Sequence, residues 1–200
     1  MNWKQFFGGP ENPRLTPELR AQIQSSFDEA ARDEKHFPST IDSRIYHVKL
    51  IREHLGGLRG KRVLDVGCGK GRFARVFHEQ EPEAELWGLD ISEEMLRFVP
   101  EGIHTRAGSM TDLPFENDFF DAAYATESLE HAVEIEKAVG EICRVVKPGG
   151  RIAVIDKNAK HWGRLRHRSG SGGLLARNWS DCWHAIVARS PAASSPIGKT

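Results

Sequence analysis

The sequence predicts an α/β protein built on one doubly wound, mostly parallel sheet. Three observations carry that expectation. Short apolar runs alternate with segments of helical periodicity, the pattern of strands joined by helical crossovers. The run Val63-Leu64-Asp65-Val66 leads straight into Gly67-Cys68-Gly69-Lys70-Gly71, a glycine-rich turn from a strand into a helix. Acids stand near strand ends, at Asp65 and Asp90, and ligands of such sheets bind at the carboxyl ends of the strands.

The elements follow in order. Thr16-Pro17-Glu18 offers a capping hydroxyl, a proline at the first helical position and an acid, so a helix is expected over 16–32. A second covers 43–55, where Ile45, Val48, Leu50, Ile51 and Leu55 make an apolar stripe that Gly56-Gly57 ends. Strands are expected at 62–66, 85–89, 103–107, 120–125 and 151–155. Helices lie between them at 71–80, after the capping Ser92, and at 134–146, the last stopped by Lys147-Pro148-Gly149-Gly150. Residues 164–200 are rich in Arg, Ser and Gly, with Asp181 as their one acid, and only 183–188 reads as a strand. The chain thus divides into an N-terminal helical arm or cap (1–58), a ligand-binding core (59–160) and an atypical tail (161–200).

Composition excludes several classes. The 200 residues carry a formal net charge of zero, so no global field draws the chain to nucleic acid, and none is expected as a partner. Three cysteines without framework spacing fit reduced thiols. No run approaches the roughly 18 apolar residues of a membrane span. A cytoplasmic protein without membrane contact, monomer or homodimer, is expected.

The glycine turn narrows the ligand. A dinucleotide needs Gly-x-Gly-x-x-Gly/Ala so that pyrophosphate rests on the helix N-terminus. Here Arg72 falls where the third small residue belongs, and Asp65 repels phosphate. A triphosphate loop needs a hydroxyl after its lysine, and Gly71 follows Lys70. A ligand with a cationic end suits better. In S-adenosylmethionine the ammonium wants a carboxylate, the carboxylate wants backbone N–H groups, and the ribose is a diol. Asp65 can serve the first, the amides of 67–71 the second, and Asp90 the third.

With those residues in place, 61–156 resembles a class I S-adenosylmethionine-dependent methyltransferase of Rossmann-like fold, in the broad group similar to ubiquinone/menaquinone-biosynthesis methyltransferases. The matching segments are 63–71, 86–92, Asp112-Leu113-Pro114-Phe115, 120–124 and 144–150. The resemblance implies S-adenosyl-L-methionine as cofactor and a small-molecule acceptor, methylated at oxygen, carbon or nitrogen. It implies a cofactor site of Asp65, Gly67, Cys68, Gly69, Gly71, Asp90 and Ile91, with Ser109 and Met110 flanking the adenine. Thr126 or Glu127 should line the methionine end. Such proteins often have an acid where Ser109 stands.

Glu127, Glu130 and His131 fall at i, i+3 and i+4, one face if a helical turn begins there. Such a set can hold a divalent ion, but no metal is expected. His131 is the candidate general base. His36, Phe37, Tyr46 and His47 are candidates to cover the acceptor. The tail leaves little room for the helix and strand pair that follow the fifth strand in this class, so either an incomplete pair or a truncated or out-of-frame C-terminus is expected. Two other readings stand beside methyl transfer: a cofactor-binding protein of this fold with little catalysis, and an NAD(P)-dependent oxidoreductase, which Arg72 and Asp65 disfavour.

Overall fold

Alternate residues of the central strands bury on opposite faces, and that period of two builds the molecule's two core layers. The computed structural model describes residues 14–157 and 183–189. Five strands run parallel: β1 (Arg62–Val66), β2 (Glu85–Asp90), β3 (His104–Ala107), β4 (Phe120–Thr126) and β5 (Val146–Lys157). The last strand, β6 (Trp183–Arg189), pairs antiparallel with β5, and the order is β3-β2-β1-β4-β5-β6. The strand expected at 183–188 is thus present as β6, and the rest of the 161–200 tail lies outside the described residues.

The helices are α1 (Pro17–Ala30), α2 (Tyr46–Leu55), α3 (Arg72–Gln80), α4 (Glu93–Leu96) and α5 (Ile135–Val145). Val63 and Tyr124 pack with Val48, Ile51 and Leu55 of α2 and with Phe73 and Phe77 of α3. Leu64, Val66, Ala123 and Ala125 face the other way, against Ala138, Ile142 and Val145 of α5. Full burial of each of the larger apolar side chains contributes roughly 1.5–3 kcal/mol.

Local signals set most boundaries. Thr16 Oγ1 accepts from Leu19 N at 3.2 Å and caps α1; Ser92 Oγ accepts from Met95 N at 3.1 Å and caps α4. Gly56, at φ 67°, ends α2 in the left-handed conformation. That helix starts at Tyr46, three residues later than expected, because the Asp42 carboxylate holds the preceding turn through the backbone N and guanidinium of Arg44.

A larger correction concerns Lys147-Pro148-Gly149-Gly150, expected as the stop between a helix and a strand. Strand β5 begins at Val146 and takes in all four residues. Its register against β4 passes from Phe120↔Val146 to Ala122↔Arg151, so they bulge opposite Asp121. Lys147 Nζ meets Asp121 Oδ1 at 2.7 Å. A Cβ on Gly150 would stand 2.8 Å from Asp121 O, so this position takes only glycine.

Candidate active site

The sheet order reverses between β1 and β4, which start crossovers to opposite sides and leave a crevice beyond their carboxyl ends. A cavity of about 300 Å³ lies there. Its floor is the glycine turn between β1 and α3, its sides are the ends of β2 and β4, and its roof is α1 with the segment that follows.

Asp65 and Tyr124 are register partners on β1 and β4, and Tyr124 Oη donates to Asp65 Oδ2 at 3.0 Å. Burial pushes the Asp65 carboxyl up to about 7, against the pull of that hydrogen bond and of Arg72. Burial raises Asp90 as well, while the amides of Ser92, Gly69 and Ile91 favour its charged form. Burial first, then the charges of Asp65 and Asp90, push the Cys68 thiol up, so Cys68 is no thiolate nucleophile.

The turn's amides do not stand as expected. Gly67 N and Cys68 N both donate to Leu89 O, at 2.8 and 3.0 Å. Gly71 N donates to Cys68 O at 2.9 Å, and Gly69 N to Asp90 Oδ2 at 2.7 Å. The chain itself takes up four of the amides that the sequence offered to a ligand. A Cβ on Gly67 would meet Ser128 Cβ at 2.5 Å, so the loop after β4 by itself requires glycine here. Gly69, with no atom near the place of its missing Cβ, is the glycine that opens on the cavity.

Past β4, Thr126 Oγ1 is buried without a hydrogen-bond partner among the described residues, a polar atom on the cavity wall. Glu127 holds a left-handed backbone, φ 54°, fixed by its N–H donating to Ile155 O at 2.8 Å. Its carboxylate lies 3.3 Å from the Arg72 guanidinium. A 3-10 turn at Leu129–His131 then presents His131, whose Nε2 is 3.7 Å from Glu130 Oε1. Because this turn starts at Leu129, Glu127 does not share a helical face with Glu130 and His131. Among the described residues no cluster of three or more His, Cys, Asp or Glu could hold a metal ion.

The roof is apolar inside and charged at its attachments. Phe27 of α1 meets the His131 ring edge-on at 5.5 Å and Phe37 at 6.0 Å. Asp28 accepts from Ser92 Oγ at 2.5 Å. Lys70, with its side chain 1% exposed, pairs with Glu34 at 2.7 Å and lies over the Phe98 ring at 4.7 Å.

Of the residues expected in the site, Asp65, Gly67, Cys68, Gly69, Asp90, Ile91, Ser109, Met110, Glu127 and His131 line this cavity. Gly71 does not; it caps α3 and packs on Val99. Ser109 Oγ lies 2.8 Å from Thr111 Oγ1, a local pair on the cavity's far side. His36 and Phe37 line the roof, whereas Tyr46 and His47 are not among the lining residues. Sequence reasoning missed Ile23, Phe27, Lys70 and Arg72 as lining residues. The one signal for the α1 pair was their i, i+4 spacing on one face of a largely polar helix.

Residues 64–154 match the family model described as a methyltransferase domain. Over these residues the chain is similar to a methyltransferase domain. The domain is 36% identical over 115 residues to the O-methyltransferase rstn1 of Aspergillus nomiae, covering 53% of this chain and 51% of that protein. It is 34% identical over 115 residues to the ubiquinone/menaquinone biosynthesis C-methyltransferase UbiE of Burkholderia vietnamiensis, covering 54% and 47%. The chain therefore spans about half the length of these curated relatives. Among solved structures, the geranyl diphosphate C-methyltransferase of Streptomyces coelicolor shares the fold, with TM-score 0.57 at 19% identity over 74% of this chain and 69% of that one. No helix among the described residues is long and apolar enough to cross a membrane.

Proposed function

We propose that the chain is an S-adenosylmethionine-dependent methyltransferase acting on an oxygen, carbon or nitrogen atom of a small-molecule acceptor. The observation that carries this reading is the bond from Gly69 N to Asp90 Oδ2 at 2.7 Å. A dinucleotide's pyrophosphate would need that amide, and here a carboxylate holds it. Asp65 and Asp90 line the same cavity, where a bound ammonium would favour their ionised forms and a phosphate would oppose them. Both favour a ligand that ends in an ammonium and carries ribose hydroxyls. The lone Thr126 Oγ1 and the open space at Gly69 fit such a ligand. The O- and C-methyltransferase activities named for rstn1 and UbiE support the same reaction class.

In this reading Asp65 and Glu127 hold the methionine end and Asp90 the ribose hydroxyls. Ile91, Ser109 and Met110 wall the adenine. Bound there, the cofactor supplies an electrophilic methyl group on a sulfonium. The chain's own work is to align the acceptor beneath the roof and to exclude water. For a hydroxyl acceptor, His131 Nε2 takes the proton, with Phe27 fixing the ring's edge.

Calorimetry with S-adenosylmethionine, S-adenosylhomocysteine and NAD tests the proposal. The first two should bind and NAD should not; binding of NAD alone would overturn it. Turnover on a panel of phenols, quinols and amines then separates an active transferase from a protein that only binds the cofactor.

A further inference from the structure

We propose that Arg72 is the residue that binds the carboxylate of the cofactor's amino-acid end, opposite a Glu127–Asp65 pair that takes the ammonium. The inference rests on the reading of this cavity as an S-adenosylmethionine site and names a contact that reading leaves open.

The glycine turn keeps few backbone donors for a ligand. An α-carboxylate needs donors, and the amides of Gly67, Cys68, Gly69 and Gly71 are bonded within the chain. A cation on the cavity wall is the natural substitute. Lys70 is turned to Glu34 and buried against Phe98. Arg72, the first residue of α3, lines the cavity with its guanidinium over the Phe73 ring at 5.1 Å. One contact to Glu127 at 3.3 Å occupies part of a group with five N–H donors, so a second carboxylate can be received alongside.

Glu127 is set up as the counterpart. Its left-handed backbone is uncommon for a non-glycine residue and is held by the bond to Ile155 O. From this turn its carboxylate reaches Arg72 at 3.3 Å. Asp65 lies near enough for the Arg72 charge to act on it. Two carboxylates and one guanidinium on the same wall are the inverse of an α-amino acid with its cationic neighbour. Such a wall selects a zwitterion over a ligand that has lost either charge.

The test uses binding, not turnover. S-adenosylhomocysteine, its decarboxylated analogue and its deaminated analogue are titrated calorimetrically into the full chain. The parent should prefer S-adenosylhomocysteine over the decarboxylated analogue by roughly tenfold or more, the size expected for a charge-assisted hydrogen bond. Arg72→Gln should abolish that preference while keeping the preference over the deaminated analogue; Glu127→Gln should do the converse. Arg72→Lys, which retains the charge without the fork, should restore part of the carboxylate preference. Circular dichroism checks that each variant is folded. A parent that binds S-adenosylhomocysteine and its decarboxylated analogue equally well overturns the assignment without any variant, as does a folded Arg72→Gln that keeps the parent's preference. A parent that binds none of the three overturns the cofactor reading itself.

Discussion

Asp65 is buried beside Tyr124 with its carboxyl pushed up to about 7 from the ordinary 3.8, chiefly by burial. The folded chain therefore keeps this proton at pH values where the unfolded chain has released it. Its contribution to stability is complete below 3.8 and is lost as pH rises through about 7. Asp65→Asn keeps an acceptor for Tyr124 and cannot ionise. Relative to the parent, it should gain stability between pH 5 and pH 8, at a slope approaching about 1.4 kcal/mol per pH unit while the parent's folded carboxyl stays protonated. Urea unfolding at several pH values reads the difference directly, and a constant offset between the two proteins would contradict the burial argument. Gly67 is tightly constrained as well. With φ at 71° and Ser128 Cβ 2.5 Å from the place of its missing Cβ, Gly67→Ala should lower stability by more than the roughly 1–2 kcal/mol of left-handed backbone alone. Ser128→Gly should relieve part of that loss in the double variant, and denaturant midpoints of the three proteins would show it.

Among the elements, the turn at 112–115 shows how distant motifs become one structure. The Arg144 guanidinium of α5 donates to Leu113 O at 3.0 Å and Phe115 O at 2.8 Å, and pairs with Glu141, which accepts from Leu113 N at 2.8 Å. Neither motif announces this in isolation: Asp112-Leu113-Pro114-Phe115 reads as a turn and Arg144 as the tail of an amphipathic helix. Arg144→Ala leaves two part-buried carbonyls without that donor and should cost roughly 1–3 kcal/mol. Hydrogen exchange should then speed up in the 108–119 segment before it does in β1. Uniform acceleration across the sheet would show that the guanidinium supports the whole fold and not this turn.

Across the whole molecule, legibility follows the range of the interactions. Strands, caps and the strand–glycine–helix turn were readable because period, capping hydroxyls and left-handed glycines are local signals. So was the gathering of Asp65, Asp90 and Glu127, since acids at strand ends converge once the sheet is parallel. The bulge at 147–150 was not, because Asp121 and Phe120 on the neighbouring strand decide it. The roof was equally hidden. It depends on Glu34 finding Lys70 across 36 positions and on Phe27 meeting His131. The fate of the turn's amides also escaped, because their acceptor, Leu89 O, belongs to another strand.

The place of β3 in the sheet order has a consequence for how the protein behaves in crowded solution. All four of its residues are exposed, and among the described residues no strand borders its outer side. A row of backbone donors and acceptors facing water is an invitation to another chain's strand, the first step of intermolecular β-pairing. Two features discourage it: the strand is only four residues long, and His104, Thr105 and Arg106 make it polar. Arg106→Ile removes the charge and adds a β-branched apolar side chain without touching the core. Light scattering during refolding at rising protein concentration should increase for this variant while its urea midpoint stays at the parental value. Equal scattering would mean that shortness alone protects the edge.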